Sequence, residues 1–380
     1  MLDPNLVIKT SINSTFVTAQ RGLYIHIPFC HARCGYCDFV TFTGKENRIE
    51  QYVEDLCKEI TFYEKTSVPT IFFGGGTPSL LEPRHVSKIV NAARGHFTFE
   101  PDVEITMEAN PESITLEKAK GWREAGVNRL SIGLQVFDNV LLKKIDRLHT
   151  VEEFLAAYAA VREAGFDNVN IDLIYGFEGQ TQEAWQHTLK STVALNPEHL
   201  SLYALKIEEH TPFAAQGMHV NDDVEAGMYE WSRTYLMEQG YEHYEISNFS
   251  RPGKACKHNL IYWRQEDYLG VGVGAVGCVQ GLRWDNHKNL QDYHKDIEAS
   301  RLPIIQVETL DSQTQRFERL MLGLRLREGL RWGEEPNPEW MAHRSSLVSR
   351  HLLEEVRPGY WRIPEHAVAL TNQILLPFLG

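Results

Sequence analysis

The 380-residue sequence lacks any apolar run of 18 or more residues, and its first 19 residues lack the apolar core of a signal peptide. The first absence excludes a predicted membrane-spanning helix, and the second leads us to expect no secretion signal. Positive charge is also scarce, because 38 lysines and arginines stand against 51 aspartates and glutamates, a net charge of −13. This balance argues against nucleic acid or an anionic membrane as the main partner. The hydrophobic content of 43% is typical of a soluble globular protein.

Cysteine is sparse too, and three of the six cysteines stand together as C-x3-C-x2-C, at Cys30, Cys34 and Cys37. Six cysteines in a chain this long do not indicate a disulfide framework. Thiolates are the ligands that iron–sulfur clusters select, and three on one loop can hold three irons of a [4Fe-4S] cube. The fourth iron would then lack a protein ligand, which is the open position typical of a reactive metal site. Cys57 and Cys278 are predicted to be small buried hydrophobes.

A structural zinc site is the alternative reading of the same cysteines. His26 or His31 could complete a set of four ligands around zinc. Such sites usually come as two spaced pairs of ligands, and the sequence holds no second cysteine pair. The spacing alone therefore favours the cluster and leaves zinc open.

Short apolar runs alternate with longer segments of helical period along most of the chain. This alternation predicts an α/β fold with a parallel sheet and right-handed crossovers, and six or so units predict an incomplete barrel. The predicted strands are Leu23–Ile27, Thr70–Phe73, Val103–Met107, Arg129–Leu134, Asn168–Ile174, Leu200–Lys206 and Tyr244–Ser247. The predicted helices are Glu50–Lys65, Glu152–Glu163, Ala184–Leu195, Val224–Gly240, Gln313–Arg325 and Ser345–Glu355.

Polar or glycine residues occur at the ends of successive predicted strands. Gly75, Gly76 and Thr77 follow the second strand, Glu108 follows the third, and Gln135 and Asp172 accompany the next two. The ends of barrel strands carry the chemistry in folds of this class, and glycines let backbone N–H groups approach a ligand. Each residue alone has a structural explanation as a turn, cap or ion-pair residue. Their joint position predicts one site, which the cysteine loop shares.

From Tyr24 to Phe39 the sequence reads Tyr-x-His-Ile-Pro-Phe-Cys-x3-Cys-x2-Cys-x-Phe. This segment resembles the radical S-adenosylmethionine (SAM) superfamily, in the branch of oxygen-independent coproporphyrinogen III oxidases and HemW heme chaperones. The resemblance implies a partial (β/α)6 barrel whose [4Fe-4S] cluster binds SAM at its open iron and cleaves it to a 5′-deoxyadenosyl radical. An oxygen-labile cluster needs a reducing compartment, so we expect a cytoplasmic protein.

The resemblance covers roughly residues 22 to 290 and also assigns residues to the SAM site. The triplet Gly75, Gly76 and Thr77 matches the family's G-G-G-T-P motif, which binds the methionine end of SAM. The other matching positions contact SAM or flank the cluster, and they are Tyr24, Tyr36, Glu108, Gln135, Arg147 and Asp172.

A second constellation follows at residues 256 to 263. His258, Tyr262 and Trp263 match the H-N-x-x-Y-W signature of the HemW family, which implies that His258 ligates heme. Imidazole is a common axial heme ligand and aromatic rings stack on flat macrocycles, although most histidines in proteins have structural roles. The glycine-dense segment 270–281 predicts a close backbone approach. It carries Val276 and Gly277 where the family usually has His-Ser.

We predict four parts: an N-terminal tail at 1–19, a radical SAM core barrel at 20–250, a connecting segment at 251–300, and a small domain at 301–380. The last part resembles the family's winged-helix-like α+β domain, and Leu324–Leu330 matches its L-R-x-x-E-G-L motif. A lid over the barrel mouth is the alternative for this unit.

The sequence favours a heme chaperone that binds a [4Fe-4S] cluster, SAM and heme and passes heme to apo-hemoproteins, membrane-bound respiratory enzymes among them. An electron donor is a further expected partner, and a homodimer stays open. The main alternative is an oxygen-independent coproporphyrinogen III oxidase. The oxidases carry one more cysteine, C-x3-C-x2-C-x-C, at the position of Phe39, which cannot ligate metal. A structural zinc protein is the third hypothesis.

Overall fold

A computed structural model describes residues 20–218, 221–333 and 337–379 of the chain, so the predicted tail at 1–19 lies outside the described residues. The strands, in chain order, are β1 Gly22–Ile27, β2 Phe29–Cys30, β3 Phe42–Thr43, β4 Ser67–Gly75, β5 Thr98–Ala109, β6 Arg129–Gln135, β7 Val169–Tyr175, β8 His199–Ala204, β9 Glu242–His243, β10 Asn248–Ser250, β11 Tyr268–Val271, β12 Val276–Val279, β13 Leu282–Asn286, β14 Ile304–Thr309, β15 Leu330–Arg331, β16 Glu354–Arg357 and β17 Tyr360–Arg362.

The helices follow the strands in the alternation that the sequence predicts. They are α1 Ile49–Ile60, α2 Pro83–His96, α3 Leu116–Glu124, α4 Asn139–Lys144, α5 Val151–Glu163, α6 Gln182–Ala194, α7 Pro212–Ala215, α8 Asp222–Glu238, α9 Lys257–Trp263, α10 Leu290–Glu298, α11 Ser312–Gly323, α12 Pro338–Ser349 and α13 Thr371–Leu375. None of them, within the described ranges, combines the length and apolarity that crossing a membrane requires.

One sheet of twelve strands organises the molecule, in the order β14-β13-β12-β11-β1-β4-β5-β6-β7-β8-β10-β9. The six strands from β1 to β8 in this order pair in parallel, and helices connect them. The two ends of the sheet, β14 and β9, do not pair with each other in the described residues, so the sheet stays open. Strand β11 also pairs in parallel with β1 and adds a seventh parallel strand. This architecture confirms the predicted α/β fold with an incomplete barrel.

The parallel strands bury apolar side chains on one face and polar side chains on the other. Leu23, Ile71 and Leu130 belong to the hydrophobic core that the surrounding helices complete. The alternate positions pair across the sheet as a buried polar series, for example Thr106 beside Arg129 on the next strand. Because side chains alternate along a strand, the second face fills the barrel interior with polar groups. The polar side chains of this face extend toward the candidate functional site described below.

Local signals define several helix boundaries. Thr150 and Glu153 form a capping box at the start of α5, with the Glu153 carboxylate 2.7 Å from the backbone N of Thr150. An Arg-Glu-Ala-Gly segment ends both α3 and α5, and its glycines, Gly126 and Gly165, have φ angles of 107° and 89°.

Two predicted elements are wrong. Residues 244–247 form a bend, because the Glu245 carboxylate accepts the backbone N–H of Ser247 at 3.0 Å and the chain turns between the antiparallel strands β9 and β10. The helix predicted at Ser345–Glu355 is α12, which ends at Ser349. His351 follows with a φ of 56°, and Leu352 N bonds to Leu347 O at 2.9 Å, which closes the helix and leads into β16.

The other predictions concern the glycine-dense segment, two cysteines and the end of helix α1. The glycine-dense segment contains the end of β11 and all of β12, and a Cβ on Gly270 would lie 2.1 Å from the carbonyl oxygen of Val276, so the predicted close approach is confirmed. Cys57 and Cys278 are only partly buried rather than buried as predicted. Helix α1 ends at Ile60, five residues before the predicted end at Lys65.

The C-terminal unit has its own sheet and core. Strands β15, β17 and β16 form a three-stranded sheet, which packs with α11, α12 and α13 around a separate hydrophobic cluster that includes Trp332, Trp340 and Phe378. Strands β11 to β14, in contrast, extend the main sheet. The domain boundaries at residues 250 and 300 stay predictions.

Candidate functional site

A cavity of about 570 Å³ opens at the carboxyl ends of the parallel strands. Its volume falls in the range that holds one drug-sized ligand. Most of the predicted site residues line it, namely Cys30, Cys34, Tyr36, Cys37, Gly75, Gly76, Thr77, Glu108, Gln135, Arg147 and Asp172. Residues separated by more than 140 positions in sequence therefore meet at one mouth. Tyr24, His258, Tyr262 and Trp263 do not line this cavity.

The cysteine loop is held against the barrel by backbone and side-chain contacts. Cys30 ends the short strand β2, and its Sγ accepts a hydrogen bond from the Thr77 hydroxyl at 3.4 Å. Further along the loop, the carbonyl of Gly35 accepts the backbone N–H of Phe213 at 3.0 Å. Burial raises the pKa of the Cys30 thiol to about 11, against the opposing effect of the Thr77 hydrogen bond. A bound metal displaces such protons, because thiolates are the ligating form.

The three thiols do not converge on one ion. In the described residues, no group of three or more His, Cys, Asp or Glu side chains has the geometry of a single-ion site. Cys30, Cys34 and Cys37 line the same cavity, and three thiolates on one loop can each hold a different iron of a cluster. All three are free of disulfides.

The glycine turn after β4 forms a cradle beside the cysteine loop, residues 30–39, which we call the cluster loop. Gly76 N donates to Ile27 O at 2.9 Å, and a Cβ built on Gly76 would lie 2.8 Å from Phe29 O and 3.0 Å from the Sγ of Cys30. No other amino acid fits there without moving the loop. The residues present therefore fit a cluster with a nucleotide packed closely against it.

Two carboxylates stand in the barrel interior below the cavity mouth. Glu108 accepts the backbone N–H of Gly75 at 3.1 Å. Burial, and secondarily the charge of Asp172, raises the pKa of Glu108 to about 8. Burial also raises the pKa of Asp172, which accepts hydrogen bonds from Ser131 and Asn170 at 2.9 Å each. A cationic ligand in the cavity would favour the ionised form of both carboxyl groups.

Arg147 connects the cluster loop to the barrel wall. Its Nη1 lies 3.6 Å from the Sγ of Cys34, and its Nη2 donates to Asn110 Oδ1 at 2.8 Å and to Gly133 O at 3.1 Å. Its Nε is buried without a partner among the described residues. This Nε can donate to one further acceptor, such as a ligand or a water.

Two aromatic residues predicted to flank the cluster differ in position. Tyr36 lies on the cluster loop, and its ring centroid is 6.2 Å from that of Phe213. Tyr24 lies deeper, in β1, where its hydroxyl is 2.9 Å from Nδ1 of His26.

Gln135, at the end of β6, has a φ of 72°, which is uncommon for a residue other than glycine. Such strain is concentrated at functional sites.

His258 lies away from the cavity, in the barrel interior. Its Nδ1 is 2.7 Å from the Thr70 hydroxyl and its Nε2 is 2.9 Å from the Tyr262 hydroxyl, so both ring nitrogens have partners. The side chain is buried, and burial lowers its pKa to about 3. Thr70 precedes Gly75 by five residues on β4, which places them about 16 Å apart at ~3.3 Å per residue. Heme ligation by His258 stays a prediction, and it requires the loss of one of these hydrogen bonds.

Sequence reasoning missed several residues of the site. Asn110 lies two residues after Glu108, in the sequence Glu-Ala-Asn-Pro, and its amide could have been recognised from that position. Ser131 and Asn170 could not be recognised from the sequence, because polar residues at alternate positions of a strand are common and do not by themselves indicate a site. Phe39 and Tyr203 also line the cavity.

Comparisons with known proteins agree with this geometry. The profile of the Radical SAM superfamily matches residues 24–192. Heme chaperone HemW of Bacillus subtilis (strain 168) is 37% identical over 367 residues, which cover 93% of this chain and 96% of that protein. Heme chaperone HemW of Escherichia coli (strain K12) is 33% identical over 382 residues, with coverages of 94% and 98%.

Among solved structures, coproporphyrinogen III oxidase (HemN) from Escherichia coli, a radical SAM enzyme, superposes with a TM-score of 0.84. The alignment covers 99% of this chain and 93% of that chain at 24% identity, a likeness that concerns the fold. The sequence relatives align over nearly the whole chain. The chain therefore belongs to the HemW family of heme chaperones, within the radical SAM superfamily.

Proposed function

We propose that this protein is a heme chaperone whose barrel mouth holds a [4Fe-4S] cluster and SAM, and which passes heme to apo-hemoproteins. Cys30, Cys34 and Cys37 would hold three irons of the cluster. Gly76, Thr77 and the unpaired Nε of Arg147 would face the amino-acid end of SAM, and the carboxylates of Glu108 and Asp172 would balance its positive charge. When bound, the cluster and SAM supply one-electron chemistry.

The chain's own residues position and shield these groups. Arg147 holds Cys34 and Asn110 together, so the cluster loop and the wall of the cavity keep a fixed spacing. Thr77 fixes the Sγ of Cys30. Preorganised donors of this kind keep ligating atoms in place and need no rearrangement when the ligand binds.

The observation that carries the proposal is the convergence of all three cysteines with Gly76, Glu108 and other SAM-assigned residues on one cavity. The test is iron and sulfide analysis of anaerobically purified protein, with paramagnetic resonance of the reduced cluster before and after SAM is added. We expect about four irons per chain and a signal that SAM perturbs. Alanine variants of the three cysteines should lose the cluster, whereas Cys57→Ala and Cys278→Ala should keep it. A full cluster signal that is indifferent to SAM would contradict the proposal.

The cargo and partners belong to the same proposal. We infer that the acceptors are apo-hemoproteins, including membrane-bound respiratory enzymes, that a reduced electron donor serves the cluster, and that the protein acts in the cytoplasm. Anaerobic incubation of the heme-loaded protein with an apo-hemoprotein tests the transfer. The acceptor should gain the heme spectrum faster than it does from free hemin, and equal rates would contradict the chaperone role.

The oxidase alternative makes a different prediction for Phe39. This position lies two residues after Cys37, and a phenyl ring supplies neither a thiol nor a proton. We expect no anaerobic conversion of coproporphyrinogen III when SAM and a reductant are present. Turnover in that assay would favour the oxidase, and zinc in place of iron after anaerobic purification would favour the structural zinc protein.

A further inference from the structure

Exposed aromatic rings are rare in this protein and occur together. Among all Phe, Tyr and Trp residues in the described parts of the chain, only Phe39 and Tyr203 have more than about a third of their surface exposed, at 65% and 42%. Both line the cavity at the barrel mouth. Isolated exposed apolar side chains need no explanation, but two aromatic rings at one opening indicate a binding surface.

The two rings stand on separate elements around the opening. Phe39 follows Cys37 by two residues and so belongs to the cluster loop. Tyr203 lies near the end of β8, the last of the parallel strands, next to the open side of the barrel. Both side chains keep exposed surface at the same cavity, so a ligand above the cavity can reach both.

We propose that Phe39 and Tyr203 form an aromatic rim that seats heme, as a flat tetrapyrrole, over the mouth of the cavity. This inference rests on the proposed function, since it names the position of the cargo. A cavity of about 570 Å³ accommodates one ligand of SAM's class beside the cluster, and the macrocycle then lies at the opening. Stacking on aromatic faces provides affinity for a flat ring system.

The rim also provides charge for the two propionates of heme. Arg33 and Lys206 both line the cavity and are exposed. The Lys206 ammonium now lies 2.5 Å from the Glu208 carboxylate, and Arg33 donates to the carbonyl of Cys37 at 3.0 Å. A propionate at the rim can replace Glu208 as the partner of Lys206, because exposed ion pairs of this kind exchange at little free-energy difference.

The aromatic rim and His258 are two different candidate positions for heme. The residues that line the cavity include no histidine and no methionine, the usual axial ligands besides cysteine and tyrosine. Heme held by stacking therefore depends on ring faces and not on a nitrogen ligand. His258 is buried with both ring nitrogens hydrogen bonded, so the seat at the rim does not involve it.

The test is an anaerobic titration of the cluster-loaded, full-length protein with hemin in the presence of SAM, followed at the Soret band. Phe39→Ala and Tyr203→Ala should each raise the Kd for heme about tenfold, the amount expected for one lost stacking partner. Tyr203→Phe keeps the ring and should bind like the wild type. Leu376→Ala removes an apolar side chain of matched exposure, 64%, in the C-terminal unit and should also bind like the wild type.

A second readout reports position independently of affinity. When the cluster is reduced, heme at the rim is ferrous, and high-spin ferrous heme is also paramagnetic. It should accelerate the paramagnetic relaxation of the reduced cluster in the wild type, and Phe39→Ala should weaken this effect at equal heme concentration. Wild-type affinity in both alanine variants would overturn the rim while leaving the chaperone proposal intact. A Tyr203→Phe variant as weak as Tyr203→Ala would assign ligation by the phenol oxygen instead of stacking. Failure of the wild type to bind heme would overturn the proposed function itself.

Discussion

The hydroxyl of Thr70 lies 2.7 Å from Nδ1 of His258, although 188 residues separate them in the sequence. This contact fixes the histidine inside the barrel, where the ring of Phe72 stacks on it with a centroid distance of 5.1 Å. The Tyr262 hydroxyl is hydrogen bonded to the other ring nitrogen, Nε2, at 2.9 Å. The H-N-x-x-Y-W segment therefore acts in this structure as part of the barrel's internal packing, at a distance from the cluster loop.

His258→Ala should reduce stability more than heme binding. The substitution leaves the buried hydroxyls of Thr70 and Tyr262 without their partner and opens a cavity. We therefore expect the free energy of unfolding to fall by about 2–4 kcal/mol. If heme is seated at the proposed aromatic rim, the Kd for heme should stay within about twofold of the wild type, because both ring nitrogens of His258 are hydrogen bonded inside the barrel.

Chemical denaturation and hemin titration measure the two quantities separately. His187→Ala, at an exposed position in α6, is the matched control and should change neither. A heme Kd raised more than tenfold in a His258→Ala variant that still unfolds cooperatively would restore this histidine as the heme ligand.

Gly76→Ala should impair cluster assembly. The added Cβ would lie 2.8 Å from Phe29 O and 3.0 Å from the Sγ of Cys30, and the backbone oxygen cannot move without moving β2. We expect iron content after anaerobic reconstitution to fall by more than about half, since displaced thiolates bind the cluster poorly. Gly95→Ala is the control, because a Cβ at that position meets nothing within 4 Å. Equal iron content in the two variants would show that the cradle has no role.

The affinity for SAM should increase with pH because of Glu108. The pKa of this buried carboxyl is raised to about 8, and the sulfonium of SAM interacts best with the ionised form. Below the pKa the carboxyl must lose its proton when SAM binds. The Kd for SAM should therefore decrease about tenfold between pH 7 and pH 9.

Glu108→Gln is the control for this pH dependence, since the amide does not titrate. The α-amino group of SAM titrates in the same range, and the variant reports that contribution alone. Isothermal titration at several pH values measures both proteins. Parallel profiles for the wild type and the variant would exclude Glu108 from the SAM site.

Glu59 should make the wild type less stable as pH rises. This buried carboxyl accepts hydrogen bonds from Tyr293 at 2.6 Å, from Gly272 N at 2.8 Å and from Asn286 at 2.8 Å, yet burial still raises its pKa to about 7. A carboxyl whose pKa is higher in the folded state stabilises the fold below its unfolded pKa, and this stabilisation is lost as pH rises through the folded pKa. The loss for Glu59 lies between about pH 4.5 and 7 and amounts to about 3 kcal/mol.

The measurement compares urea unfolding of the wild type and Glu59→Gln across this pH range. The variant cannot ionise, so the stability of the wild type relative to the variant should decrease by roughly 3 kcal/mol between pH 4.5 and 8. Glu117→Gln, at an exposed position on α3, should follow the wild type. A pH-independent difference between wild type and Glu59→Gln would contradict the raised pKa.

Some features could be predicted from the sequence because they depend on neighbours along the chain. The spacing of Cys30, Cys34 and Cys37 fixes how far apart three thiols on one loop can lie. The alternation of apolar runs and helical periods defines six parallel strands, and parallel strands bring their carboxyl ends to one mouth. The errors at residues 244–247 and at the end of α12 have local causes, a carboxylate that bonds to its own turn and a left-handed residue that closes a helix.

The tertiary structure alone decided which distant residues meet. Arg147 contacts Cys34, 113 residues away in the sequence, and Thr70 is hydrogen bonded to His258, 188 residues away. Tyr203 and Phe39 line the same cavity. Sequence periodicity gives the face on which a side chain lies, but contacts between strands depend on the curvature and register of the whole sheet. For this reason the sequence determined the family and the spacing of the three cysteines that we propose as cluster ligands, whereas the fold determined that His258 is buried and that the two exposed aromatic rings line the cavity.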